Sequence, residues 1–175
     1  MNLLRSFTIP VKGLKIGQHE FSWKLEANFF KAVNTESNIN ADLEAFVIFD
    51  KRSSMYILNI EIKGDLIDTC DRCLETIPIP IEGKYEFFIK QGTSEDEADL
   101  IFLESFDDEL NIATYIYEYA VLSFPWIKTI ECDDLEPKPC NTELLKKWEQ
   151  ETKLSEKEED KNSVWDALNK LNLDK

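Results

Sequence analysis

The chain is 175 residues long, about the size of one ordinary domain, and 43% of it is apolar, which is enough to build a real core. Its 35 acidic side chains against 20 basic ones give a formal charge of −15, a mean field that repels phosphate backbones and disfavours direct, nonspecific RNA binding. The densest basic stretch, Lys146-Lys147, is offset by Glu143 and Glu149, so the balance points either to plain solubility or to a basic protein partner.

The N-terminal half predicts strands. Phe7 and Ile9 lead to Pro10, and a turn marked by Gly13 and Gly17 precedes the period-two run Phe21, Trp23, Leu25. Phe29-Phe30 breaks that alternation, predicting a short helix or turn before the polar stretch from Asn34 to Asn40. Leu43 to Phe49 and Met55 to Ile62 form a hairpin around Lys51 to Ser54, and Gly64 opens a further strand over Asp65 to Thr69. Ile77, Ile79 and Ile81 alternate with Pro78, Pro80 and Glu82. Two prolines at alternate positions remove ladder donors from one side only, which places the segment at a sheet edge, and Tyr85 to Ile89 continues it.

Residues Gln91 to Asp99 read as an exposed acidic loop, and Ile101 to Leu103 as one more short strand. The clearest helix follows. Ile112, Tyr115, Ile116, Tyr119 and Leu122 recur at helical spacing, Asp107 to Glu109 sit where a helix start favours negative charge, and Pro125 ends the pattern. Asn141 can cap a second helix carrying Leu144, Leu145 and Trp148. The expected organisation is α+β: residues 1–148 as one domain with a mostly antiparallel β-sheet in its first two thirds, packed by one amphipathic helix and including the cysteine region. Residues 149–162 follow as a charged flexible linker and 163–175 as a short C-terminal helix. In that last helix Ser163 and Asp166 resemble a capping box. Trp165, Leu168 and Leu171 would dock back on the domain or bind a partner.

No apolar run suffices for a membrane span or a signal sequence, which predicts a cytoplasmic protein. In that reducing compartment four cysteines are expected as thiols or metal ligands rather than as disulfides. Cys70-Asp71-Arg72-Cys73 has the spacing at which both sulfurs turn to one point, and Cys132 and Cys140 would complete a four-thiolate set for one structural zinc ion. The second pair is more widely spaced than such pairs usually are. Three readings stay open: a structural zinc site, a redox C-x-x-C, and four unrelated buried thiols. The redox reading lacks the strand-to-helix setting of a thioredoxin-like motif, because a proline-punctuated strand follows the cysteines. The single histidine, His19, lies in a polar turn and offers no triad, the acidic runs look solvated, and the aromatic residues Trp23, Tyr56, Tyr85 and Phe87 fall in core patterns.

The segment Gly64-Asp65-Leu66 through Cys70-Asp71-Arg72-Cys73-Leu74-Glu75, with the Ile-Pro-Ile-Pro run after it, resembles the YceD family. Leu110, Tyr117-Glu118, Leu122-Ser123 and Pro125 resemble its helix and the phrase that ends it. Cys140-Asn141 resembles its downstream cysteine, and Asn162 to Leu168 resembles its terminal phrase. The opening Ile9 to Leu14 resembles the start of the branch found in Bacteroidetes. The resemblance implies a non-enzymatic ribosome-biogenesis factor supporting accumulation of large-subunit (23S) ribosomal RNA. On this reading it binds a basic large-subunit ribosomal protein or a pre-ribosomal particle, with RNA contact indirect. The alternative is a thiol-active C-x-x-C redox protein. Two departures stand out: Glu131-Cys132 lies where members often carry a histidine, and Ser163 replaces the usual proline.

Overall fold

The computed structural model describes residues 3–91, 100–103, 108–132 and 135–159. It is α+β, as the sequence predicts. A five-stranded sheet has the order β2-β3-β4-β5-β6, formed by Gly17–Glu26, Ala41–Lys51, Tyr56–Thr69, Thr76–Gln91 and Leu100–Leu103. The first four strands are an antiparallel meander, and β6 pairs in parallel with Phe88 to Gln91. A separate two-residue pairing joins β1 (Thr8–Ile9) to β7 (Leu110–Asn111).

Period-two patterning decides which face is inside. Leu43, Ala45, Val47 and Phe49 of β3, Leu58, Ile60, Ile62 and Leu66 of β4, and Ile77, Ile79 and Ile81 of β5 are all buried on one face. Gly64 does not start a new strand. It sits within β4 at φ +137°, paired with Leu43 and Ile81, and a Cβ there would collide with the Asp42 carbonyl oxygen and lie 2.8 Å from the Leu43 Cα. Glycine lets the strand pass close over β3 without breaking the ladder. The ladder with β4 also runs unbroken through Pro78 and Pro80. Among the described residues β6 flanks β5 only from Phe88 onward, so the proline half is an edge.

Two helices cover the buried face. The short helix α1 (Ala27–Val33) follows β2 directly and buries Phe29 and Phe30, and α2 (Ala113–Leu122) buries Ala113, Ile116 and Ala120. Aromatic contacts seat α2 on β5: Tyr119 stacks on Tyr85 with ring centroids 4.4 Å apart, and Phe87 lies 5.5 Å from Tyr115. The Ser123 hydroxyl donates to the Tyr119 carbonyl at 2.7 Å, which leaves its oxygen to accept from the Tyr85 hydroxyl at 2.9 Å.

Three further elements differ from expectation. The acidic run before α2 does not lie in its first turn, because Leu110 and Asn111 pair with β1 and the Asn111 side chain accepts from the Ala113 N–H at 3.0 Å. That pairing joins segments a hundred positions apart, which local periodicity cannot register. The second difference is α3, which runs Thr142–Glu159, so the linker expected over 149–162 is helical as far as Glu159. A helix already nucleated at Asn141, whose side chain accepts from the Leu144 N–H at 3.0 Å, continues through a stretch rich in the strong helix formers Glu, Lys and Gln. The third concerns the cysteines and is taken up below. The expected C-terminal helix, with Trp165, Leu168 and Leu171, lies outside the described residues.

Candidate functional site

The turn between β4 and β5 carries Cys70 and Cys73. The Cys70 N–H donates to the Glu75 carbonyl at 2.8 Å and the Leu74 N–H to the Cys70 carbonyl at 2.9 Å, closing a tight loop with Leu74 at φ 60°. A left-handed leucine is strained, and here the two loop bonds hold it. Both thiols are free and fully buried. The Arg72 N–H points at the Cys70 sulfur at 3.4 Å. Burial opposes ionisation of Cys73, but the backbone N–H groups of Glu75 and Asn141 and the Cys70 thiol together outweigh it, and the Cys73 thiol lies below its ordinary pKa.

The segment after α2 packs against this turn. The Asp71 N–H donates to the Lys128 carbonyl at 2.9 Å, the Lys128 N–H donates back to the Asp71 carboxylate at 2.6 Å, and the Arg72 guanidinium reaches the Ile130 carbonyl at 3.4 Å. Lys128 also pairs with Asp68 near the end of β4. Farther on, the Asn141 amide donates to Glu75 at 3.3 Å. These bonds bring Cys132 and Cys140 to the corner that holds Cys70 and Cys73, and both are buried.

Cys132 and Cys140 are joined as a disulfide, with Cα atoms 6.2 Å apart. This corrects the expectation of four thiols. The loop between the two folds back far enough for their sulfurs to meet, which sequence spacing does not reveal. Among the described residues no group of three or more His, Cys, Asp and Glu side chains could hold a metal ion. His19 is half-buried and donates through Nε2 to the Lys15 carbonyl at 2.8 Å.

The second candidate is the outward face of the sheet. Strand register sets its residues in rows, since directly paired residues point to the same side. One row alternates in charge, Lys24, Glu44, Lys63, Glu82. The next sets Glu26, Asp42 and Asp65 abreast across three strands, all exposed, with Pro80 at the end of the row. Three carboxylates side by side weaken a sheet, so this row is a cost that folding alone does not explain. Toward the other end the face becomes less polar, with a groove lined by Phe46, Ile48, Asn59, Glu61, Lys84 and Glu86. Exposed apolar residues also gather after α2, where Trp126 is 100% and Ile127 71% exposed. Among the described residues no helix is long and apolar enough to cross a membrane.

A family model described as Large ribosomal RNA subunit accumulation protein YceD matches residues 58–172, from within β4 to the C-terminal phrase. The Ile9 to Leu14 opening lies outside the match. No curated protein and no solved structure matches the chain.

Proposed function

Because the chain belongs to the YceD family, we propose that it supports accumulation of large-subunit ribosomal RNA as a binding factor, by holding a basic large-subunit ribosomal protein or an assembly intermediate rather than the RNA itself. Family membership carries the link to large-subunit RNA. The acidic balance supports the choice of partner: at −15 the molecule repels phosphate and attracts polypeptide rich in Lys and Arg. The Glu26, Asp42, Asp65 row is the contact surface we assign to that partner, with Trp165, Leu168 and Leu171 as a second, apolar contact. A basic ribosomal protein held this way is kept from nonspecific contacts with nucleic acid until it is delivered. The role is non-enzymatic.

The test titrates the purified full-length chain against individual basic large-subunit ribosomal proteins and against naked large-subunit RNA, following fluorescence anisotropy at physiological ionic strength. Saturable binding to one such protein, weakened by salt, with no binding to RNA, is the expected outcome. Tight binding to naked RNA under those conditions overturns the reading. So do unchanged levels of precursor and mature large-subunit RNA when the protein is depleted from cells.

A further inference from the structure

We propose that the free edge of β2 is a self-association surface: β2 of one copy pairs antiparallel with β2 of a second copy about a two-fold axis at Ser22, making a dimer with one continuous sheet.

β2 ends the sheet, and among the described residues no strand lies on its outer side. Its ten residues contain no proline. Its register with β3 runs unbroken from Gly17 opposite Lys51 to Glu26 opposite Asp42, so no bulge twists the edge away. Alternate residues of such a strand turn their N–H and C=O groups to the open side, ready for a second ladder. The opposite flank of the sheet lacks such a run of donors where Pro78 and Pro80 stand.

The side chains of β2 fit a second copy of themselves. With Ser22 facing Ser22, Glu20 lies opposite the second copy's Lys24 and Lys24 opposite its Glu20, both exposed on the outward face. Gln18 meets the second copy's Glu26, an amide donor against a carboxylate. On the inward side Phe21 meets the second copy's Trp23. Phe21 and Trp23 are half-buried and already stacked, with ring centroids 5.6 Å apart. Trp23 is also stacked on Phe7 and donates through Nε1 to the Ser6 carbonyl at 2.8 Å, so this aromatic ledge is in place before a second copy arrives.

Other registers fit less well. Centred on Glu20 or on Lys24, the pairing sets that residue against its own like charge; centred on Trp23, it sets Glu20 against Glu26 twice; centred on Phe21, it opposes no charges at all. The formal charge of −15 on each chain resists approach at a distance. That field is screened beyond about 8 Å at physiological ionic strength, while directly opposite side chains lie within roughly 5.5 Å. Opposed residues of antiparallel strands point to the same side, so the Glu26, Asp42, Asp65 rows of both copies look outward from one sheet. The contact consumes the open edge of β2 in both copies, so the assembly closes at two.

Sedimentation equilibrium of the full-length chain at physiological ionic strength tests this. The native chain is expected to pass from monomer to dimer by about 100 μM, and a chain still monomeric there overturns the proposal. Glu20→Lys and Lys24→Glu each put like charges opposite one another in both pairs, and each alone is expected to weaken dimerisation roughly tenfold. An equal mixture of the two variants is expected to regain native affinity, because every opposed pair again joins an acid to a base. Dimerisation that neither reversal weakens, or a mixture that does not recover, overturns the proposal. Recovery on mixing cannot come from misfolded variants, and circular dichroism of each variant checks the fold directly. No ribosomal component is used, so the outcome is separate from that of the proposed function.

Discussion

At single positions the structure makes sharp demands. Gly64→Ala brings a side chain against the Asp42 backbone at a φ that alanine rarely adopts, and we expect it to lower unfolding free energy by about 3 kcal/mol or more in urea titration. Leu74 is the opposite case, because its left-handed backbone favours glycine and its side chain is exposed. Leu74→Gly should leave stability unchanged or raise it by up to about 1 kcal/mol in the same assay. Asp68 supplies a pH dependence. The Lys128 hydrogen bond, helped by the Thr69 N–H, holds its carboxyl below the ordinary value. A depressed pKa in the folded state means that the stabilisation is fully present above the unfolded value, about 4, and is lost as pH falls through the folded one. Thermal melts across pH 2 to 6, a window set by roughly these limits, should therefore show a loss on the acid side that Asp68→Asn diminishes. The effect is modest, below about 1 kcal/mol, because both side chains of the pair are about one third exposed.

Among the elements, period-two runs announced the meander, and the apolar spacing from Ile112 to Leu122 announced α2, because strand and helix periods are local properties of the chain. Relations between elements were hidden. Nothing near Leu110 signals its pairing with Ile9, and nothing in the spacing of Cys132 and Cys140 signals that they meet. The C-x-x-C turn was readable because four consecutive residues contain it. The carboxylate row was not, since Glu26, Asp42 and Asp65 come together only through the register of three strands. That row separates stability from binding. Asp42→Asn should raise unfolding free energy by about 0.2–1 kcal/mol by relieving like-charge repulsion, and at the same time slow association with the basic partner in stopped-flow mixing. Ile116→Ala, on the buried side of α2, should cost about 2–5 kcal/mol with no matching specific loss of association rate.

For the molecule as a whole, two features stand apart: an acidic sheet face turned outward, and a buried cysteine corner that fastens the start of α3 to the rest. The outward face is ordered by the sheet, and the corner by hydrogen bonds between distant loops, so a change in one should leave the other intact. The free border of β5 adds a further constraint. Pro78 and Pro80 occupy alternate positions where no neighbouring strand is present among the described residues, so a second extended chain arriving there finds donors missing at every other step. Strand addition by any extended chain, a second copy included, is thereby disfavoured on that flank.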